Sequence, residues 1–450
     1  MGAGKSTLGR EVAERLGRPF FDVDEEVERA EGSIWEIFAQ RGEAAFRELE
    51  ARFVREACGR RTPSVIAVGG GAVETRNLLS ELDVLTVHVD ADVETCWARV
   101  QGSDRPLARD EAEFRQRYEK RRPLYAEAAD AVVHDADDVV LAAGAVHVSR
   151  KAVSEGVDLG HGPFELVADE RVLELHPPPV DAPMHAVPAG EAAKTVATAE
   201  RLWRAVRLDR GGVLVGFGGG CTTDVTGFVA ATYLRGVDWI AVPTTLVGQV
   251  DAAIGGKTAI DLPEGKNLVG AFHWPRWTVV DPTLLETLPE AQRREGMAEV
   301  VKTGLLAGDP LWELPEAELV RRCAAYKTAV CLRDPYDRAE RRVLNLGHTF
   351  AHALEAAAAY ETLTHGEAVA LGLLAALRLS GRPTDVVEEV LRPERVSVDA
   401  ERAWAALQRD KKRSGDALTL VLLDADGPVV RDVAATDVRR ALEQLIASTS

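Results

Sequence analysis

The chain has 450 residues with a formal net charge of −18, and its apolar fraction of 46% is ordinary for a globular protein. This length allows two or three domains, and the acidic surplus argues against a nucleic-acid partner. No apolar run reaches the roughly eighteen residues of a membrane span, and the N-terminus lacks a leader pattern. The five cysteines form no CxxC pair, so we expect a cytoplasmic protein.

Residues 1–148 alternate between helical and strand-like segments. A helix is predicted from Lys5, strands near 19–23, 64–68 and 84–89, and a basic helix near 113–122. This alternation is typical of a parallel α/β sheet. The segment 149–163 contains Gly, His and Ser with weak periodicity and is predicted to be a linker.

Residues 164–283 again alternate, in the segments FELVADERV, MHAVP, GVLVGFGGG, WIAVP and WTVVD. From about residue 284 the strand signal fades and helix-forming residues dominate to 409. The segments ALTLVLLD and PVVRDV around Asp426-Gly427 predict a hairpin. We therefore predict an α/β domain at 164–283 and a mainly helical domain at 284–450.

The chain begins MGAGKST, in which Gly4-Lys5-Ser6 matches the second half of the phosphate-binding sequence GxxxxGK[ST]. In that motif backbone amides cradle phosphates, the lysine reaches the terminal phosphates and the serine binds Mg²⁺. Asp22 and Asp24 follow a short apolar strand, where one carboxylate can hold Mg²⁺ and the other a substrate hydroxyl.

A glycine triplet, 69–71, closes another strand and lets a small ligand approach the backbone closely. Three arginines lie nearby in the motif order: Arg47, Arg105 in a polar loop suited to a lid, and Arg121. Three arginines directed at one pocket suit a carboxylate substrate and a transferring phosphoryl group, although each alone is an ordinary surface residue.

The motifs GKS, DVD, GExxFRxxE, GGG, RPL and RxPLY, in this order, resemble those of shikimate kinase over nearly all of residues 1–135. The resemblance implies a P-loop kinase-like parallel sheet domain that phosphorylates the 3-hydroxyl of shikimate with ATP and Mg²⁺. It assigns ATP to Gly2, Gly4, Lys5, Ser6, Thr7 and the lid residue Arg105, and Mg²⁺ to Ser6 and Asp22. It assigns shikimate to Asp24, Arg47, Gly70, Gly71 and Arg121, with Asp24 also catalytic.

The family's loop has an earlier glycine and a preceding apolar strand that are not in this sequence. Ordering a loop without that anchor costs roughly 1–2 kcal/mol for each residue fixed. A truncated chain with a crippled kinase and a start assigned too late are the two explanations. We favour the second, expect an upstream in-frame stretch, and expect weak or absent kinase activity without it.

The segment GFGGGCTTDVTGFVAATYLRG, residues 216–236, sets a glycine triplet between a buried strand and a helix. Such a turn suits a dinucleotide pyrophosphate, because its amides and the helix dipole face the anion. Polar residues at neighbouring strand ends offer ribose and phosphate contacts. The predicted NAD contacts are Asp169, Glu191, Lys194, Gly218, Gly219, Gly220, Asp224, Thr244, Thr245, Lys257 and Lys266.

His348 and His352 lie four residues apart in NLGHTFAHALE, hence on one helical face, and His365 follows in THGEA. Glu299 in GMAEVVK adds a carboxylate from another helix. Two histidines and a carboxylate with an open position are the composition of a catalytic Zn²⁺ site. Ordinary core or surface histidines are the alternative interpretation.

The cations Arg235, Lys257, Lys266, Lys302, Lys327, Arg341, Lys411 and Lys412 suit a substrate that carries both carboxylate and phosphate. From about 169 to 433 the sequence resembles 3-dehydroquinate synthase. The shared motifs are GExxK, GGGxxxDxxGFxAATYxRG, PTTLxxQVD, GGKT, GKNxxGAF, GMAEVVK, NLGHTFxHxxE, HGEA and DKK. The resemblance implies a Rossmann-like NAD-binding α/β domain and an α-helical metal-binding domain.

That family converts 3-deoxy-arabino-heptulosonate 7-phosphate to 3-dehydroquinate and phosphate with NAD and Zn²⁺ or Co²⁺. The resemblance makes Glu299, His348 and His365 the metal ligands and puts His352 beside the leaving phosphate. It gives catalytic or substrate-binding roles to Asp251, Lys257, Asn267, Lys302, Lys327, Arg341, Asn345, Lys411 and Lys412. Arg235 is expected to reach a neighbouring subunit's site, since the family is commonly dimeric, and we expect a homodimer through this domain.

The combined interpretation is a fused enzyme with two activities of aromatic amino-acid precursor synthesis, acting on small-molecule substrates. Two alternatives stay open: an active synthase with an inactive kinase-like appendage, and an NAD- and metal-dependent polyol dehydrogenase. The family's opening segment before Asp169 is shortened here, and DPYDRAERR replaces its usual acidic-glycine stretch before the histidine helix.

Overall fold

The computed structural model describes residues 1–103, 107–359, 362–410 and 417–447. The chain divides into two compact units, with the division between Ala143 and Gly144. Among the described helices, none combines the length and apolar composition that a membrane crossing needs.

The first unit contains two pairs of short parallel strands. Its strands are β1 Phe20–Asp22, β2 Val65–Ala67, β3 Val87–Val89 and β4 Ala131–Val133. Its helices are α1 Lys5–Arg15, α2 Val23–Glu31, α3 Ile34–Cys58, α4 Val93–Val100, α5 Glu111–Ala128 and α6 Ala136–Ala143. Strand β1 pairs with β2, and β3 pairs with β4, both in parallel. This alternation is the parallel α/β pattern that the sequence predicts.

A cavity lies in the first unit beside the two strand pairs. Within the described residues, no strand pairing joins β1–β2 to β3–β4. The cavity wall combines β3 and the segment that follows β2 with the start of the chain and with α5. Lys5, Gly70, Arg121 and Tyr125 are among the lining residues, so predicted phosphate and substrate groups face one space.

A six-stranded parallel sheet forms the centre of the second unit, in the order β5-β12-β9-β8-β6-β7. Its strands are β5 Val146–Val148, β6 Phe164–Asp169, β7 Met184–Val187, β8 Val213–Gly218, β9 Asp238–Pro243 and β12 Trp277–Val280. Every residue of β8 is buried, as expected for a central strand covered on both faces. The remaining strands form two antiparallel hairpins, β10 Lys257–Leu262 with β11 Gly265–Phe272, and β13 Ala417–Asp424 with β14 Gly427–Ala434.

Helices pack on this sheet before residue 284 and make up most of the chain after it. The described helices of the second unit are α7 Ala152–Glu155, α8 Glu170–Leu175, α9 Val196–Ala205, α10 Gly220–Thr232, α11 Glu290–Ala307, α12 Glu316–Arg333, α13 His348–Ala357, α14 His365–Leu379, α15 Ala400–Asp410 and α16 Ala435–Glu443. The predicted strand FELVADERV ends at Asp169, because that side chain caps α8 by accepting from the Arg171 amide at 2.9 Å.

The segment predicted as a linker, 149–163, is part of the second unit. Strand β5, which directly precedes this segment, pairs with β12. Within the segment, Ala152, Val153 and Leu159 are buried in the core beside the sheet. The buried Asp281 carboxylate accepts hydrogen bonds from the amides of Lys151 and Val153 at 2.9 and 3.0 Å. The boundary between the two units, after residue 143, therefore lies five residues before the domain end predicted at 148.

Helices α13 and α14 approach very closely at a pair of glycines. A Cβ placed on Gly372 would lie 2.1 Å from the carbonyl oxygen of Gly347. Gly347 has a φ of 79°, which favours glycine, and it immediately precedes α13. This contact packs the start of α13 against α14 at a point seven residues after that helix begins, and each helix begins with a histidine.

Candidate active sites

Three side chains from three helices meet in the second unit: Glu299 of α11, His348 of α13 and His365 of α14. Each offers a ligand atom, and these atoms lie within 4.8 Å of one another. The Nε2 atoms of His348 and His365 lie 3.6 and 3.4 Å from the same Glu299 oxygen, Oε1. At the start of α14, Thr364 and Glu367 form a capping box that fixes the backbone beside His365.

The electrostatics of this cluster fit a divalent cation. Burial acts to raise the pKa of Glu299, but the Lys302 ammonium and the contact with His365 outweigh it and hold that pKa well below its ordinary value. Burial and the Lys302 ammonium lower the pKa of His348 to about 3, so its ring is neutral, the form that binds metals. Within the described residues, neither Glu299 oxygen has a hydrogen bond of good geometry. An ionised carboxylate of this kind, facing two imidazole nitrogens, is the donor set of a Zn²⁺ or Co²⁺ site.

A chain of alternating charges extends from Glu299. Lys302, one turn later on α11, forms an ion pair with Glu299 Oε2 and lies 3.5 Å from Asp251 Oδ1. Lys327 of α12 donates to the same Asp251 oxygen at 2.6 Å. The structure thus brings together three predicted substrate residues and the predicted metal ligands.

The segment before the histidine helix is organised by Asp334, which the sequence interpretation did not single out. Its carboxylate accepts hydrogen bonds from the amides of Arg338, Ala339 and Arg341. The Arg341 guanidinium is buried and donates to the Gly255 carbonyl at 2.8 Å. Lys257 Nζ lies 2.5 Å from Asp337 Oδ2 in the same segment.

The other predicted substrate residues lie in several places. His352 is exposed, with its ring centroid 5.6 Å from that of His348. Asn345 is half-buried at the end of the turn that carries Arg341. Arg235 is exposed at a φ of 69°, and within the described part of the chain no ion pair links it to the metal cluster. Lys411 and Lys412 lie outside the described residues.

The predicted glycine turn lies between the end of β8 and the start of α10. A Cβ on Gly218 would lie 2.7 Å from the Thr222 side chain, and one on Gly219 would lie 3.0 Å from Thr245. The next strand, β9, ends alongside, where the Thr244 amide donates to the Gly218 carbonyl at 2.9 Å. The turn and the two threonines therefore share one edge of the sheet, where doubly wound folds bind dinucleotides.

A charged cluster adjoins the start of α10. The buried Lys194 Nζ donates to Asp224 Oδ2 at 2.8 Å and also donates to the side-chain oxygen Oδ1 of Asn267. Lys266 Nζ lies 3.1 Å from Glu191 Oε2. Burial raises the pKa of Asp224 to about 6 although Lys194 opposes it. Asn267, predicted as a substrate residue, is thus bonded within the group predicted to contact NAD.

In the first unit, Gly4 precedes α1 in the left-handed conformation with φ 90°. Ser6 Oγ donates to Asp22 Oδ2 at 2.5 Å, so the two predicted Mg²⁺ residues are in contact. Gly2 also has a positive φ, and its carbonyl accepts from Arg99 of α4 at 3.2 Å. Thr7 is exposed, and Arg105 lies outside the described residues.

The predicted shikimate residues converge near the glycine triplet. A Cβ on Gly71 would lie 2.2 Å from the Arg47 guanidinium, and one on Gly69 would lie 3.2 Å from Asp24 Oδ1. Tyr125 donates to the Gly70 carbonyl at 2.6 Å. Arg121 is buried and makes two hydrogen bonds with Glu74.

Several acidic residues to which the sequence interpretation gave no role contact the predicted site residues. Glu50 accepts from Arg47 Nη1 at 2.6 Å, and Glu74 accepts from Arg121 Nε at 3.0 Å. Glu355 Oε1 lies 3.3 Å from Nδ1 of His365. Glu50 and Glu355 are the last residues of the motifs GExxFRxxE and NLGHTFxHxxE, and this position in a motif could have identified them as site residues.

Family comparisons divide the chain into three matched segments. A family model for shikimate kinase matches residues 1–150. A model for the 3-dehydroquinate synthase N-terminal part matches residues 184–295, and one for its C-terminal part matches 296–413.

Similar proteins match most of the chain. A bifunctional shikimate kinase/3-dehydroquinate synthase of Thermotoga maritima is 35% identical over 457 residues, covering 92% of this chain and 92% of the relative. A 3-dehydroquinate synthase of Latilactobacillus sakei is 42% identical over 264 residues, covering 54% of this chain and 74% of the relative. The structure of 2-epi-5-epi-valiolone synthase from Streptomyces hygroscopicus, solved with NAD⁺ and Zn²⁺ bound, is similar with a TM-score of 0.59 and 25% identity, covering 67% of this chain and 96% of that one.

We predict that Asp334→Asn destabilises the second unit by about 1–3 kcal/mol, because three backbone amides lose a charged acceptor. Burial acts to raise the pKa of Asp334, but these hydrogen bonds outweigh it and lower the pKa to about 2. The unfolded chain has a pKa of about 3.9. The carboxylate's contribution is therefore complete above about pH 4 and is lost as the pH falls through about 2.

Urea unfolding of the wild type and the variant at several pH values measures this difference. We expect the gap in unfolding free energy to be constant from about pH 7 to 5 and to narrow below about pH 4. A gap that widens on acidification would contradict the assignment.

Proposed function

The chain belongs to the family of bifunctional shikimate kinase/3-dehydroquinate synthases, and on that premise we propose that both of its enzyme domains are active. The second unit would convert 3-deoxy-arabino-heptulosonate 7-phosphate to 3-dehydroquinate and phosphate. The first would phosphorylate shikimate at its 3-hydroxyl. The observation that carries the synthase proposal is the cluster in which Glu299, His348 and His365 adjoin the Asp251–Lys302–Lys327 charge chain.

We assign the bound groups as follows. Glu299, His348 and His365 would hold Zn²⁺ or Co²⁺, which polarises the substrate hydroxyl that is oxidised. NAD bound at the glycine turn 218–220 would supply reversible hydride transfer for the oxidation of that hydroxyl. The glycine turn at 218–220 and the cluster around Lys194 support the NAD assignment, as does the NAD⁺ and Zn²⁺ in the similar valiolone synthase structure.

The cationic side chains around the metal cluster suit the anionic substrate. Burial acts to lower the pKa of Lys302, but Asp251 and Glu299 outweigh it and raise it, so the side chain remains an ammonium. Lys302 and Lys327 both face Asp251, which positions the two ammonium groups side by side. Two adjacent ammonium groups suit a carboxylate or phosphate of the substrate. Arg341, Lys257 and Asn345 would extend this surface. His352, whose exposed ring lies next to that of His348, would assist the leaving phosphate.

For the first unit we propose that Lys5 and Ser6 bind the phosphates and Mg²⁺ of ATP, with Asp22 supporting the metal. Two observations support this proposal: Ser6 contacts Asp22, and Lys5 lines the cavity. Asp24 would accept the proton of the substrate hydroxyl, while Arg47 and Arg121 would bind the shikimate carboxylate. We also propose a homodimer through the second unit, to which Arg235 contributes.

Replacing His365 with Ala should remove bound metal and synthase turnover together, because it takes away one of three ligands. We expect Co²⁺ affinity to fall by more than about 100-fold, above the range for a residue outside the ligand set. His161→Ala, at an exposed histidine remote from this cluster in sequence, is the matched control. Metal analysis after dialysis measures occupancy, and full occupancy in His365→Ala would rule out the ligand assignment.

Phosphate release from the heptulosonate phosphate should proceed without net NADH. The proposed reaction returns each hydride, so absorbance at the NADH wavelength stays flat while inorganic phosphate rises over many turnovers. Stoichiometric accumulation of NADH would support the polyol dehydrogenase alternative instead.

The sequence leads us to expect a weak kinase rate, and the ADP that the purified chain forms should require both shikimate and MgATP. Lys5→Ala should reduce this rate by at least about 100-fold, because the terminal phosphates lose their cation. The same variant should leave the synthase rate unchanged. Intact synthase turnover with no shikimate-dependent ADP in the wild type would favour the inactive-appendage alternative.

A further inference from the structure

A second buried carboxylate, Glu355, contacts the candidate metal cluster from outside the ligand set. It lies on α13, seven residues after His348, with only 4% of its surface exposed. Its Oε1 is 3.3 Å from Nδ1 of His365, while Nε2 on the other side of that ring faces Glu299 at 3.4 Å. The His365 ring is thus held between two carboxylates.

The other histidine shows the same arrangement with a different acceptor. His348 Nδ1 lies 3.2 Å from the carbonyl oxygen of Leu346, and its Nε2 faces Glu299 at 3.6 Å. A carbonyl oxygen can only accept, so Nδ1 carries the proton and Nε2 has a free lone pair. Both rings therefore present Nε2 to one Glu299 oxygen and have an oxygen acceptor at Nδ1.

His365 depends more on such support than His348 does. The side chain of His348 is 12% exposed, whereas that of His365 is 36% exposed, so packing restrains the second ring less. The capping box fixes the backbone of α14 through Thr364 and Glu367 alone and does not include the His365 ring. A side-chain acceptor at Nδ1 restrains that ring.

We propose that Glu355 is a positioning residue that accepts the Nδ1 proton of His365 and aims Nε2 at the metal. This inference rests on the proposed metal site. A carboxylate at the second nitrogen of a ligating histidine fixes its tautomer and strengthens it as a ligand. Because Glu355 belongs to α13 and His365 to α14, the contact also ties the second histidine to the helix that carries the first.

Glu295 provides a matched control for charge. It lies on α11, its backbone packs against Gly366, and its carboxylate acts on His365 electrostatically. Replacing it with Gln removes a negative charge near His365 without removing the acceptor at Nδ1. A comparison of Glu295→Gln with Glu355→Gln therefore separates general charge from the hydrogen bond.

The experiment measures Co²⁺ affinity and the visible absorption of the Co²⁺-loaded full chain. We expect Glu355→Ala to weaken Co²⁺ binding about 10–100-fold and to alter the absorption bands. Glu355→Gln, which keeps an acceptor without the charge, should be intermediate, and Glu295→Gln should stay within about 2-fold of the wild type. Thermal unfolding without metal checks that each variant folds.

The outcomes separate the two proposals. Wild-type affinity and spectrum in a folded Glu355→Ala would overturn the positioning role, as would an equal loss in Glu295→Gln and Glu355→Gln. If Glu355→Ala does not fold, the affinity and spectrum of Glu355→Gln decide in the same way. A wild-type chain that binds no Co²⁺ would overturn the metal site itself, and with it this inference.

Discussion

The ionised carboxylate of Glu299, buried on α11, is the constraint on which the site of the second unit depends. Removing such a charge from water costs several kcal/mol unless a partner and good geometry offset the loss. Lys302 supplies that partner from the next turn of α11, and Asp251 and Lys327 continue the alternation. A well-packed apolar set would stabilise the fold equally well, so this arrangement is better explained by chemistry than by stability.

Backbone geometry then determines which atoms surround that charge. Both histidines are the first residues of their helices, and the glycine contact between Gly347 and Gly372 sets how closely the start of α13 packs against the middle of α14. Asp334 likewise fixes the backbone of the preceding segment, because its carboxylate accepts a hydrogen bond from the Arg341 amide. The reactive side chains are therefore positioned by turns and helix ends rather than by the sheet alone.

The sequence predicted the elements and residues whose signal is local. Spacing and motif order in the sequence predict the glycine turn after β8 and the strand ends. They also predict the set of Glu299, His348 and His365. The three-residue strand β5 was missed because VHV is too short to show a period, and its pairing with β12 joins residues far apart in the chain. Glu355 was passed over because a single glutamate on a helix is usually a solvated residue, and only the approach of α14 gives it a partner. The bond between Asn267 and Lys194 likewise depends on the fold of the β10–β11 hairpin.

The pairing of β5 with β12 also limits how the two enzymes could be separated. Residues 146–148 form one edge of the six-stranded sheet, and Asp281 holds the chain that follows through the amides of Lys151 and Val153. A gene split anywhere in 149–163 would leave the synthase without its edge strand and would attach that strand to the kinase as an unpaired apolar tail. The severed sheet would then expose β12 as a new edge open to pairing with other chains. A split between residues 143 and 144, after β4 and before β5, leaves each polypeptide with all of its own described strands.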